Sequence, residues 1–263
     1  MLIEVAGQQV FINSQEPRPD PRRATITFVH GAGMDHTVWT LPKRHFERHG
    51  YNVLAVDLPG HGKSSGTLLS SIGTMADWIL AVLQALDLQE TAIAGHSMGS
   101  LVALNFSARH PQHCRALALL AISLPMPVSD ELLDAARRNH PDAIAMLNLW
   151  GHGKAAHLDR NPNPGMWRLG GGQQLLERAA DGVIYHDLQA CHHYQEGMEH
   201  AARISCPTLL ILGQRDVMTP LRNGLAVAEK IPHARKLVLS NCGHSLLSER
   251  PNEVLDGLRS VLL

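Results

Sequence analysis

Residues 91–104 read TAIAGHSMGSLVAL: a short apolar run, a Gly95-His96-Ser97-Met98-Gly99 turn, then apolar residues at helical spacing. A G-x-S-x-G sequence carries chemical meaning when it joins a strand to a helix, and that is its setting here. On such a turn the serine sits in a sharp, strained backbone conformation with its hydroxyl exposed. Small residues two positions to either side are needed because strand and helix crowd together. The competing reading is a glycine-rich turn with an ordinary serine, and the strand–helix setting weighs against it.

Outward from this turn, strands alternate with helices. Ala24–Val29 (ATITFV) is nearly continuous and apolar, as expected of a strand buried on both faces of a parallel sheet, and it ends at His30-Gly31. Asn52–Val56 follows, ending at Asp57, with a short helix over Pro42–His49 between the two. Met75, Trp78, Ile79, Val82, Leu83 and Leu86 recur at three- and four-residue steps, which predicts a helix over Thr74–Leu86. Beyond the turn come a helix over Met98–His110 and a strand at Ala116–Ile122. The pattern resumes with strand Thr208–Leu212, helix Leu221–Lys230, strand Lys236–Leu239 and a helix from Pro251. At the start, Leu2–Ala6 and Gln9–Ile12 around Gly7 predict a hairpin, followed by an extended loop through Pro17, Pro19 and Pro21. The whole predicts an α/β fold, a doubly wound and mostly parallel sheet with chemistry at the carboxyl ends of its strands.

Residues 124–203 break that rhythm. They hold helical pieces at Asp130–Arg138, Ala143–Leu149, Gln173–Ala180 and Leu188–His200, and a Gly- and Pro-rich loop from Gly151 to Gly172. Lying between two sheet strands, this segment reads as a helical cap (124–203) inserted into a core domain of residues 1–123 and 204–263.

Composition narrows the partners. A chain of 263 residues, 44% hydrophobic and 18% charged, fits a large globular domain. Its 23 basic residues nearly cancel 24 acidic ones, which argues against nucleic acid or a membrane surface as partner. Cys114, Cys191, Cys206 and Cys242 form no C-x-x-C pair, which disfavours a zinc finger, a thioredoxin-type site or a disulfide framework and suits a reducing compartment. Glu4, Gln8 and Gln9 stand where a secretory peptide places basic residues and an apolar run, and Ala116–Leu124 is too short to span a bilayer. The expectation is a soluble cytoplasmic protein, monomer or homodimer. Gly60-His61-Gly62-Lys63-Ser64 imitates a phosphate loop but has Asp57 where glycine is required, and Gly31 and Gly33 lack a third glycine at His36 for a dinucleotide fingerprint. The cap histidines His186, His192, His193 and His200 show no metal-ligand spacing, so no catalytic metal is expected.

A serine hydroxyl is a poor nucleophile without a base, and the base needs an acid partner. Asp216 follows strand Thr208–Leu212 in Gly213-Gln214-Arg215-Asp216, and His244 follows strand Lys236–Leu239 in Asn241-Cys242-Gly243-His244. Ser97, Asp216 and His244 thus stand in the order serine, acid, histidine, each just past a strand end. Taken singly, Asp216 reads as a helix cap before Thr219-Pro220, and His244 as a structural histidine. Acyl transfer also needs donors for an oxyanion; the backbone of His30-Gly31-Ala32-Gly33 supplies one N–H and Met98 the other. Ala32 is the preferred first donor, with Gly33 in competition.

The set HGAG at 30–33, DLPGHGKS at 57–64, GHSMGS at 95–100, GQRD at 213–216 and GH at 243–244 resembles the α/β-hydrolase superfamily over essentially the whole chain, most of all its small capped carboxylesterases. That resemblance implies an eight-stranded, mostly parallel sheet with helices on both faces, a helical cap, a Ser97–His244–Asp216 triad and no cofactor. YHDLQACHHY at 185–194 is similar to a pocket-lining helix in several such proteins. The expected activity is hydrolysis of a small-molecule ester through an acyl-enzyme, with Gly33, Leu124, Trp150, Val217 and Ser245 as candidate substrate contacts. A serine nucleophile disfavours epoxide hydrolase and dehalogenase chemistry. A lactonase, a C–C hydrolase or lyase with the same triad, and a small-ligand receptor with vestigial hydrolysis remain as alternatives. Met126, Met146, Leu149, Trp150, Met166 and Trp167 hint at an apolar acyl or aryl group.

Overall fold

The computed structural model describes residues 1–158 and 167–263. In chain order its elements are β1 (Leu2–Val5), β2 (Gln8–Asn13), β3 (Thr25–Val29), α1 (Thr40–Arg48), β4 (Asn52–Val56), α2 (Ile72–Ala85), β5 (Thr91–His96), α3 (Met98–Arg109) and β6 (Cys114–Leu120). There follow α4 (Asp130–Arg137), α5 (Pro141–Gly151), α6 (Lys154–His157), α7 (Arg168–Glu177), α8 (Val183–His193) and α9 (Gly197–Ala202). β7 (Thr208–Gly213), α10 (Leu221–Lys230), β8 (Arg235–Leu239), α11 (Leu246–Glu249) and α12 (Pro251–Leu262) complete the chain.

The eight strands form one sheet in the order β1-β2-β4-β3-β5-β6-β7-β8. β2 runs antiparallel to β1 and β4, and the pairings from β4 to β8 are parallel. Alternation along each strand fills two cores. Ile26, Phe28, Val53 and Ala55 pack with Trp39, Phe46, Val254 and Leu258 on one face, while Val29, Leu54 and Val56 pack with Met75, Ile79, Leu101 and Phe106 on the other. Burial on both faces is why these strands read as unbroken apolar runs, and each such side chain contributes about 1.5–3 kcal/mol relative to exposure.

The strand order reverses at β3, which lies between β4 and β5. A crevice at such a reversal, outside the carboxyl ends of the strands, is where open α/β sheets bind ligands. Val29 stands beside both Val56 and Gly95, so the loops at His30–Met34 and Ser97 leave the sheet at one level.

Between β6 and β7 the structure departs from expectation: α6 lies within the predicted loop Gly151–Gly172, and two larger differences follow. α7 runs through Gly170, Gly171 and Gly172, where the sequence predicts loop and where each glycine costs up to about 1 kcal/mol of helix stability. Packing overrides that cost: a Cβ on Gly170 would lie 2.2 Å from the Trp167 ring, and one on Gly172 2.5 Å from Asn148 Oδ1. Asn148 Nδ2 also donates to the Leu169 carbonyl at 2.9 Å. The single helix expected over Leu188–His200 is two, α8 and α9. The chain turns where the buried Tyr194 hydroxyl meets His200 Nδ1 at 2.7 Å and Gly197 presses on Leu124. Met166 lies outside the described residues. No helix among the described residues is long and apolar enough to cross a membrane.

Candidate active site

Ser97 has φ 55° and ψ −119°, a conformation that costs an L-residue on the order of 1–3 kcal/mol and is held by its surroundings. A Cβ on Gly95 would lie 1.9 Å from the Gly99 carbonyl oxygen, and one on Gly99 2.3 Å from that of Val29. Both neighbours are therefore backbone that cannot give way. The Ser97 N–H donates to the Leu120 carbonyl at 2.9 Å, tying the turn to β6. Met98 opens α3, so its N–H has no partner within the helix.

Asp216 and His244 meet. His244 Nδ1 lies 2.8 Å from Asp216 Oδ2, with both side chains almost fully buried. A carboxylate only accepts, so Nδ1 carries a proton, which aims Nε2 away from Asp216. The carboxylate is fully engaged: Oδ1 accepts the N–H groups of Met218 and Thr219 at 2.9 and 2.8 Å, and Oδ2 accepts the Thr219 hydroxyl at 2.6 Å. Burial pushes the Asp216 pKa up, but the His244 imidazole and the Thr219 hydrogen bonds outweigh it and hold the group below its ordinary value. Asp216 does not cap a helix, the reading it invites in isolation: its bonds hold the turn at Met218 and Thr219, and α10 begins after Pro220 with no side-chain cap.

His96 supports this pair from behind. Its Nε2 donates to the His244 carbonyl at 2.9 Å, and burial, reinforced by His244, lowers its pKa to about 4. It stays neutral at pH 7 and adds no positive charge against an imidazolium at His244. Ser97 and His244 line one cavity; no hydrogen bond joins them among the described residues, and such bonds commonly tighten only around a reacting substrate.

The structure separates Ala32 from Gly33. The Gly33 N–H donates to Asp187 Oδ2 at 2.8 Å, whereas those of Ala32 and Met98 have no partner among the described residues. Ala32 also lines the cavity with Ser97.

That cavity, about 240 Å³, is also lined by Val128, Leu132, Leu147 and Leu176, and among the described residues no Asp, Glu, Lys or Arg lines it. Of the expected substrate contacts, Trp150, Val217 and Ser245 line it. Gly33 and Leu124 do not: Ile184 covers Gly33, and Leu124 is buried against Gly197 and Tyr194. Thr219, His96, Met34 and Asp187 were not singled out as site residues by the sequence. Three of them sit in stretches the sequence does mark, Thr219 after Asp216, His96 in GHSMGS and Asp187 in YHDLQACHHY, and Met34 carried no signal. The DLPGHGKS segment is a turn wound around Asp57, which accepts the N–H groups of His36 and Lys63 at 2.7 and 2.9 Å and leaves no room at Gly62 for a side chain.

Residues 24–148 match the family described as alpha/beta hydrolase fold, and residues 178–260 one described as TAP-like protein. The chain is 32% identical over 209 residues to the pimeloyl-[acyl-carrier protein] methyl ester esterase of Neisseria meningitidis, covering 73% of this chain and 75% of that one. It is 27% identical over 237 residues to the 2-hydroxy-6-oxononadienedioate/2-hydroxy-6-oxononatrienedioate hydrolase of Cupriavidus pinatubonensis, covering 84% and 80%. The enol-lactonase from Burkholderia xenovorans shares the fold, with a TM-score of 0.86 and 20% identity over 99% of this chain and 98% of its own. With the sheet, the strained serine turn and the histidine–aspartate pair in place, these matches show that the chain belongs to the α/β-hydrolase superfamily and is an esterase-like hydrolase within it.

Proposed function

We propose that the protein is a serine carboxylesterase that cleaves a small, uncharged, largely apolar ester. Ser97 Oγ attacks the ester carbonyl carbon while His244 Nε2 takes its proton, and Asp216 stabilises the imidazolium. The N–H groups of Ala32 and Met98 receive the oxyanion. His244 returns the proton to the departing alcohol, then activates water to release the acid from Ser97. Residues 124–203 act as the cap on a core of 1–123 and 204–263. No cofactor enters the scheme, and the reduced cysteines suit the cytoplasm.

The observation that carries this reading is the Asp216–His244 pair, 2.8 Å apart, opening onto the same cavity as the strained Ser97. The absence of a charged side chain from that cavity lining favours a neutral ester over a dicarboxylate substrate. A C–C hydrolase acting on such an acid would have to bury a carboxylate there without a partner, at a cost of several kcal/mol.

The test is turnover of p-nitrophenyl butyrate beside a panel of lactones and C–C substrates, with mass spectrometry of Ser97. Wild-type enzyme should turn over many times and accumulate an acyl adduct, and Ser97→Ala should lose about 10⁴-fold or more in kcat while keeping its fold. Tight ligand binding without turnover would instead identify a receptor, and cleavage confined to C–C substrates a different hydrolase.

A further inference from the structure

The loop that supplies the Ala32 N–H is held from a distance, and the holding group belongs to the insertion. Asp187, on α8, is 1% exposed and accepts the Gly33 N–H at 2.8 Å. The same oxygen, Oδ2, lies 2.8 Å from His61 Nε2. His61 Nδ1 faces the Pro59 carbonyl at 3.0 Å, so both ring nitrogens donate and the buried pair is an imidazolium against a carboxylate. Two further contacts press the insertion onto this loop: Ile184 fills the space a Cβ on Gly33 would need, at 2.7 Å, and Arg178 pairs with Asp35 at 2.9 Å.

Peptide units are rigid planes, so an N–H is aimed by whatever holds its own plane and the next. The Ala32 N–H shares a plane with the Gly31 carbonyl, which accepts from His30 Nδ1 at 2.9 Å and from the Met34 N–H at 3.2 Å. The following plane carries the Gly33 N–H and ends on Asp187. Between these two anchors only the φ and ψ of Ala32 remain.

We propose that Asp187, backed by His61, is a positioning residue for the oxyanion hole: through the Gly33 amide the insertion fixes the direction of the Ala32 N–H. The inference rests on the esterase reading for its catalytic consequence. It makes the insertion part of the catalytic machinery, so that seating α8 and completing the oxyanion hole are one event.

Asp187→Ala and Asp187→Asn test it, with p-nitrophenyl butyrate kinetics, inhibition by phenylboronic acid and hydrogen exchange of the loop. Loss of a well-aimed oxyanion donor costs about 10²–10³-fold in kcat, and a misaimed one should cost less, on the order of 30-fold for Asp187→Ala. Asp187→Asn keeps an oxygen to accept the Gly33 N–H and should lose less. KM should stay within about twofold, while the boronate, which forms a tetrahedral adduct on Ser97, should weaken in step with kcat. Exchange over residues 31–34 should rise and exchange over residues 241–246 should not. Wild-type kcat in Asp187→Ala together with unchanged exchange at 31–34, or an effect confined to KM, overturns the proposal. If Ser97→Ala leaves turnover intact, the esterase reading falls instead, and the exchange measurement decides alone whether Asp187 holds the loop.

Discussion

Ser97 and His244, which line the floor of the cavity, and Asp216, bonded to His244, follow β5, β8 and β7, and the conformation of each is set mainly by groups that the ends of the sheet bring together. Across from them, Leu132, Leu147 and Leu176 come from helices that share a small cluster of their own with Ala135, Ala143 and Leu188. The floor tolerates almost no change, because backbone meets backbone at Gly95 and Gly99. The roof is side chain against side chain, and apolar side chains of similar volume exchange with little cost. Besides apolar packing of Ala190, Cys191, Tyr194 and Ala201 into the core, buried polar contacts join the insertion to the sheet ends. Asp187 reaches Gly33, Glu249 accepts the N–H groups of both Gly243 and Gly153, and the Ser245 N–H donates to the Gly151 carbonyl at 2.7 Å. On the proposed reading, chemistry resides in the floor and selectivity in the roof, with buried polar contacts between them.

Substitutions in the floor should do the greatest damage. Asp216→Asn should lower kcat by about 10³- to 10⁴-fold with KM little changed, because His244 then lacks the charge that fixes its tautomer and stabilises its imidazolium. Steady-state kinetics decide this, and a loss below tenfold would detach Asp216 from the mechanism. Gly99→Ala should lower stability by about 3 kcal/mol, on the order of 10 °C in melting temperature, since its Cβ would lie 2.3 Å from the Val29 carbonyl oxygen and 2.6 Å from that of His30. A variant that melts like the wild type would show that the serine turn has more room than the structure gives it.

In the roof, Leu147→Phe should narrow the cavity and shift the preference from p-nitrophenyl octanoate towards butyrate by about 10-fold in kcat/KM, with the fold intact. Equal losses on both esters would mean that the roof does not select acyl length.

The smallest effect probes the contact between the two. Burial disfavours a charged His61, but the Asp187 charge and hydrogen bond outweigh it and raise the His61 pKa above its ordinary 6.5. The stability this contributes is complete below pH 6.5 and is lost as pH rises through the raised folded value. His30, whose ring centroid is 4.9 Å from that of His61, and Asp57 also face this group. The melting difference between wild type and Asp187→Asn should therefore shrink by a few degrees between about pH 6 and pH 9. A difference constant across that range would show that His61 is not charged by Asp187.

Legibility follows the same division. The strands were readable because burial on both faces imposes unbroken apolar runs, and the serine turn because its glycines answer a constraint within four residues. Helices in the insertion were readable where an apolar stripe marks them, as in α4, and unreadable where packing overrides propensity. Three glycines lie inside α7, and nothing local announces the turn at Tyr194. Leu124 and Gly33 were expected to touch substrate and do not line the cavity, because a strand-end residue in sequence points either into a cavity or into a core.

By itself the sequence determined the order of strands and helices, the strained turn at Ser97, and the succession of Ser97, Asp216 and His244, because each depends on short-range sterics or on alternation along one element. Tertiary structure alone decided that Gly33 gives its N–H to Asp187 while the Ala32 N–H has no partner among the described residues, since that choice is made by a residue 154 positions away. It also decided that no charged side chain among the described residues lines the cavity. Groups so distant in the chain leave no periodic trace in it; only the packed fold brings them within hydrogen-bonding distance.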